Sequence, residues 1–324
     1  MGHEASRRRT RRHDHEDMIV ARVFCLIACV ASIMVGCERK PAVVEPRPSG
    51  PRVVVHSPAV GVIVRDLGRA EMVVGRHGHD IVLPRSLPVV GSQEGFDYEA
   101  LLRARPTHVI AQWGSRELPT RLVEMSKANG WQLLDTRLLS LSDVRSDTVA
   151  VDAFLCAARG VMPPSAECTT LVERMDRAWT TRGEGFKELG RVLLLVSASP
   201  PAAFGPGSCH HEVLERIGGV PAITEGSAYI ELDTERLLRI APEVIVLVSP
   251  RGYGVEASEE TRARGAAKLE ALRGLRVPAV ERGRVAVIDD PLAQLPSTSM
   301  IGFAEELAGV LEGMRAPSPR STAP

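Results

Sequence analysis

The chain reads as an α/β protein in which two lobes bracket a helical connector. Short runs of β-branched and aliphatic residues alternate with amphipathic helical stretches, the pattern of strands buried on both faces of a parallel sheet. One αβ unit occurs twice, as DYEALLRARPTHVI (97–110) and DTERLLRIAPEVIV (233–246), which share six of fourteen positions without a gap. Between the copies lies a stretch of helical pattern with few strand signals. With 324 residues, 44% of them hydrophobic, the chain can form about two globular units with adequate cores.

The amino terminus precedes the first lobe. A basic run, SRRRTRR, leads into MIVARVFCLIACVASIMVGC, where Arg22 is followed by uncharged apolar residues from Val23 to Val35. That run is too short to cross a bilayer comfortably and has the three-part form of a secretory signal. Residues 1–36 are therefore expected to be a signal peptide, with Met18 as an alternative start. Its end, MVGC, resembles the lipobox of bacterial lipoproteins, in which small residues precede a cysteine that receives lipid. Met34 stands where leucine is commoner. The resemblance implies lipidation of Cys37. The following ERKPAVVEPRPSGP is rich in proline and charge, which suits an extended tether over residues 37–50.

The first lobe is expected over residues 51–139. It opens with strand RVVVHS, passes Pro58 into helix AVGVIVRDLG and meets another strand in EMVVGR. In the first copy of the repeat Asp97 is a good N-cap, Glu99 falls where the helix dipole favours negative charge, and the leucine pair supplies an apolar stripe. Pro106 then stops the helix, because the residue before a proline is pushed out of the helical region. THVIAQW is the next strand. SRELPTRLVEMSKANG reads as a helix closed by Asn129-Gly130, and WQLLDT as a further strand.

The connector, residues 140–189, holds two helices, SLSDVRSDTVAVDAFLCAARG and PSAECTTLVERMDRAWTTRGEGFKEL, the second long enough to join the lobes. Cys156 and Cys168 flank the turn between them, and a disulfide there is open. The second lobe, residues 190–312, repeats the plan. It has strand RVLLLVS, a Gly/Pro-rich turn PPAAFGPGS, helix CHHEVLERIGG, the second copy with Asp233, Glu235 and Pro242, a helix near TRARGAAKLEALRG and strand RVAVID. Residues 313–324 are expected to be a disordered tail.

Basic and acidic residues number 40 each, and no Lys/Arg cluster lies outside the first twelve residues, so nothing favours a nucleic-acid partner. Small molecules and proteins are the expected partners. GPGSCHHE does not fit the nucleophile elbow Gly-x-Ser-x-Gly, and neither a Walker loop, His-Glu-x-x-His nor Cys-x-x-Cys accompanies it. It reads as a turn entering a helix. An exported metal-dependent hydrolase using His77, His79, His210 and His211 is the alternative from a different class.

RVVVHSPAV, VVGR, LPVVGSQEGFDYEALLRARPTHVIA, SCHHEVLERIGGVPAI and DTERLLRIAPEVIVLV, in that order and spacing, resemble the substrate-binding proteins of ABC importers for cobalamin, ferric siderophores and haem. The match runs from about Arg52 to about Leu311. It implies two Rossmann-like α/β lobes joined by a long connecting helix, with a ligand cleft between them. It also implies a monomer without catalytic residues or a resident cofactor, anchored by lipid outside the cytoplasm. Such a protein captures a corrinoid or iron chelate, haem included, and delivers it to an ABC permease dimer in the inner membrane. In that family one glutamate on each lobe pairs with permease arginines, a role that falls on Glu99 and Glu235 here.

Within the cleft the resemblance places the loop GRHGHDIVLP, with Arg76, His77, His79 and Asp80. Neutral imidazoles and a carboxylate suit transition metals, but two histidines one residue apart need a turn to converge, so lining of the cleft is the expected role. Trp113 follows a strand whose carboxyl end faces a ligand crevice, where an indole can stack on a macrocycle. By the same logic Ser57, Pro58, Phe204 and Tyr253 are candidates, and Tyr229 sits on a loop before the second repeat.

Overall fold

Along the first lobe run β1 (Val53–His56), α1 (Pro58–Asp66), β2 (Val73–Arg76), the two-residue strands β3 (Gly91–Ser92) and β4 (Gly95–Phe96), α2 (Tyr98–Ala104), β5 (His108–Gln112), α3 (Thr120–Asn129) and β6 (Gln132–Thr136). The computed structural model describes residues 50–315 apart from 115, 182, 183, 257, 259, 261, 262, 264–266 and 273. The expected signal, Cys37 and tether lie outside the described residues up to position 49, as do positions 316–324 of the expected tail. The four longer strands form a parallel sheet in the order β2-β1-β5-β6. Strand alternation sorts the side chains. Val53 and Val55 face α1, while Val54 and Val109 face Leu101 of α2 and Leu122 of α3.

Two helices follow, α4 (Leu141–Arg159) and α5 (Ala166–Ala178). Ser140 and Asp143 form a capping box at the start of α4, Gly160 ends it at φ 69°, and Ser165 caps α5. The first helix, with 19 residues, is the longer, whereas the second stops after 13. This reverses the lengths expected from the sequence. The reason is local: Trp179 caps the helix, and beyond it the chain reads Thr-Thr-Arg-Gly-Glu-Gly, whose β-branched residues and glycines are poor helix formers. Cys156 and Cys168 are buried free thiols, so the bridge left open by the sequence is not formed. Instead the buried Asp152 carboxylate accepts hydrogen bonds from the Ser165 amide (2.8 Å) and hydroxyl (2.6 Å), closing the turn between the helices.

The second lobe contains β7 (Arg191–Ala198), β8 (Pro201–Phe204), α6 (Cys209–Arg216), β9 (Val220–Pro221), β10 (Tyr229–Glu231), α7 (Thr234–Ile240), β11 (Val244–Val248), α8 (Pro278–Glu281), β12 (Val285–Ile288) and α9 (Met300–Arg315). The sheet order is β10-β8-β7-β11-β12, with β9 also on β7. β7, β11 and β12 are parallel, and β8 and β10 add an antiparallel edge. Pro201–Phe204, read from sequence as part of a turn, is thus a strand. Of the helix expected near residues 261–274, positions 261, 262, 264–266 and 273 lie outside the described residues, and Glu270–Leu272 form a single 3-10 turn. A continuous core joins Val53 and Ile63 of the first lobe, Leu141, Val151 and Met175 of the connector, and Val192, Val246 and Phe303 of the second lobe. The connector is therefore packed into the body of the fold and is more than a bridge across it.

Candidate functional site

The first sheet changes direction between β1 and β5. The chain leaves β1 for α1 on one face and leaves β5 for α3 on the other. The carboxyl ends of two such strands open a crevice, the habitual ligand position in α/β sheets. A cavity of about 300 Å³ lies there, at the small end of the range for ligand pockets. Its lining comes from the ends of β1 (His56, Ser57, Pro58), β2 (His77) and β5 (Gln112, Trp113), from Ser92 and Gln93 of the β3–β4 hairpin, and from Arg116. The Ser57 hydroxyl, which also caps α1, donates to Gln112 Oε1 at 2.6 Å and ties the two strand ends together. The Asp135 carboxylate accepts from the Trp113 amide at 2.9 Å and fixes the start of the loop that carries the indole.

The two aromatic walls His56 and Trp113 are tied together by Phe96, which packs against both rings without itself lining the cavity. The His56 ring stacks on Phe96 at 3.8 Å between centroids, Phe96 stacks on Trp113 at 5.8 Å, and the Arg116 guanidinium lies 5.1 Å from the Trp113 centroid. The hairpin approaches so closely that Gly91, at φ 152°, has no room for a Cβ against His56 and the Gly95 carbonyl. His56 Nε2 donates to that carbonyl at 3.2 Å, and burial lowers the pKa of the ring. His77 Nδ1 accepts from the His79 amide at 3.1 Å. Burial, reinforced by His56 and His79, brings the His77 pKa down to about 4. Both rings are therefore neutral at physiological pH, engaged by the protein, and form walls of the cavity.

Of the residues singled out in the sequence, Ser57, Pro58, His77 and Trp113 converge on this cavity. Arg76 instead spends its guanidinium on the His77 carbonyl at 3.1 Å within its own loop. Asp80 is buried beneath α1, where Oδ1 accepts from the Val82 and Leu83 amides, and burial raises its pKa. His79 is exposed at the rim, its ring 5.4 Å from that of His77. In the second lobe Phe204 stacks on buried His210 at 3.8 Å, Tyr229 is exposed on the edge strand β10, and Tyr253 lies beside Arg65 of α1. His56, Phe96, Gln112 and Arg116 were missed from the sequence. The strand-end argument that found Ser57 and Trp113 reaches His56 and Gln112 equally, but Phe96 and Arg116 arrive through loop packing.

The four histidines of the hydrolase alternative are not gathered. His210 Nε2 donates to the Ala293 carbonyl at 2.6 Å and His211 Nε2 to the Ile223 carbonyl at 3.0 Å, both within the second lobe. Among the described residues no group of three His, Cys, Asp or Glu side chains is placed to hold a metal ion. A second cavity, about 290 Å³, lies between α1, α5 and the start of α9. Within it Arg65 pairs with Asp66 at 2.7 Å, Thr298 donates to Asp66 at 2.6 Å, and Asp290 accepts from the Leu292 amide at 2.8 Å. Glu99 and Glu235 are both exposed, each in the first turn of its short helix.

No family model matches the chain, and neither does any curated protein. Solved structures do match in fold. The periplasmic haem-binding protein BhuT, in complex with two haems, is 21% identical with a TM-score of 0.61, over 82% of this chain and 100% of that one. The periplasmic vitamin B12-binding protein BtuF of Vibrio cholerae is 17% identical with a TM-score of 0.61, over 82% and 98%. The periplasmic haem-binding protein HutB of Vibrio cholerae is 17% identical with a TM-score of 0.59, over 81% and 98%. The chain has their two-lobed α/β fold.

Proposed function

We propose that this chain is an extracytoplasmic solute-binding protein of an ABC importer, which captures a corrinoid or an iron chelate and delivers it to a permease dimer without covalent chemistry. The observation that carries the reading is the cavity at the β1–β5 crevice. It combines two aromatic walls, His56 and Trp113, both stacked on Phe96, with a few polar groups in the place where α/β sheets bind ligands. The fold shared with haem- and vitamin B12-binding proteins supports the same class of cargo. Ser57, Pro58, His77 and Trp113 line the site in this reading, His79 stands at its rim, and Tyr253 and Tyr229 are further candidate contacts from the second lobe. Arg76, Asp80 and Phe204 shape the loops around the site.

The sequence MVGC supports a lipid anchor on Cys37 after signal cleavage. Palmitate labelling that survives in Cys37→Ala would remove the anchor from the proposal. The cargo is tested by titrating purified protein with haem, cyanocobalamin and a ferric siderophore. Saturable one-site binding of at least one of them, at micromolar or lower concentration, is expected. Absence of binding for all three rejects the function.

A further inference from the structure

The cavity contains a charge that none of the described residues neutralises. Arg116 is exposed, lines the cavity and rests against Trp113. Among the described residues it has no ion-pair partner and no hydrogen-bond partner. The remaining lining is uncharged, since it consists of serine, proline, glutamine, tryptophan and two histidines held neutral by burial. We propose that Arg116 selects cargo by charge: the site takes a planar metal chelate that presents a carboxylate or similar oxyanion, and discriminates against a neutral, amide-rimmed one. This rests on the cavity being the ligand site.

The physical argument has two sides. A guanidinium offers a rigid fork of donors that matches a carboxylate bidentately, and its contact with the indole restrains its orientation before ligand arrives. An anionic group placed there gains a charge-assisted pair whose strength grows as the ligand excludes water. A neutral ligand of the same shape would cover the guanidinium, strip its hydration and return no opposite charge, so the same residue works against it. Two sources share this chemistry, a porphyrin with peripheral propionates and an anionic ferric catecholate.

The test compares haem with its dimethyl ester, which differ only in the two carboxylates, alongside cyanocobalamin and a ferric tricatecholate. Wild-type protein is expected to bind haem or the catecholate about 10–100-fold more tightly than the ester and cyanocobalamin. Arg116→Gln should remove that preference by weakening binding of the anionic chelate and tightening that of the ester, and Arg116→Lys should recover part of it. A haem preference identifies the porphyrin source, and a catecholate preference the siderophore. Equal affinity of haem and ester, or tight cyanocobalamin binding indifferent to Arg116→Gln, overturns the charge selection while leaving the solute-binding function intact. Failure of all four probes to bind overturns both.

Discussion

Gly61, in the middle of α1, is where the ligand-side loop meets the core. A Cβ at this position would collide with the Asp80 carboxylate. Asp80 cannot move freely, because its Oδ1 holds the Val82 amide at 2.9 Å and the Leu83 amide at 2.7 Å. Its Oδ2 is buried without a hydrogen-bond partner among the described residues, as is Arg76 Nε in the same stretch. The loop is thus clamped from below, and the clamp fixes the cavity wall at His77, three residues before Asp80. Gly61→Ala is expected to destabilise the protein by about 1–3 kcal/mol, the usual cost of overpacking, measured by urea denaturation. It should also weaken ligand binding, because His77 shares the displaced loop. An unchanged midpoint would show that the loop yields to the methyl group and that Asp80 is no clamp. Asp80 illustrates why single residues were hard to judge from sequence: a carboxylate directly after His77 and His79 suggests ligand contact, but backbone amides had claimed it.

At the scale of elements, the repeated αβ unit keeps its chemistry in both copies. Asp97 accepts from the Glu99 and Ala100 amides and Asp233 from the Arg236 amide, and each helix ends in a left-handed residue, Arg105 at φ 44° and Ala241 at φ 46°, before its proline. The sequence announced the caps and the stop, because these are local effects. The left-handed turn itself was not expected, since proline biases its predecessor toward extended backbone. What stayed hidden depended on distant partners. β8 is a strand because β7 and β10 pair with it, although its Pro-rich sequence signals a turn. The helix α9 was also unforeseen, and one of its residues carries a test. Burial, together with Asp290 and Asp289, raises the Glu306 carboxyl to about 7, against the opposing effect of Arg251. The folded protein therefore holds a proton that the unfolded chain releases above about pH 4.5. Stability from the neutral group is complete below that value and is lost as pH rises through about 7. Glu306→Gln should raise the Tm at pH 8, by about 2–4 °C for each kcal/mol relieved, and change it little at pH 5. A Tm difference of the same size at both values would mean that charge at Glu306 is not the cause.

For the whole molecule the question is why the two lobes carry the same exposed helix. Packing accounts for Leu101 and Leu237, which are buried, but their neighbours Leu102 and Leu238 are exposed in both copies. Glu99 and Glu235 are exposed as well, and helix capping is already supplied by the aspartates. Each helix packs through one leucine on its own lobe, Leu101 in the first and Leu237 in the second, in two clusters apart from the core shared by both lobes. Under the proposed function the glutamates dock on permease cations, one from each lobe. Reversing both charges, Glu99→Arg with Glu235→Arg, is expected to leave the fold intact. The only ion pair it breaks among the described residues is Glu235 with Arg239, at 2.7 Å on an exposed helix face, and such pairs contribute about 0.3–0.5 kcal/mol. Ligand affinity should also persist, because neither residue lines the cavity. Uptake should collapse, since like charges facing each other across a docking surface cost several kcal/mol. The measurement is ligand uptake in cells lacking the native protein, with thermal melts and ligand titrations of the variant as controls. Normal uptake by a folded, ligand-competent double variant would leave Glu99 and Glu235 as first-turn helix charges and remove them from the docking surface.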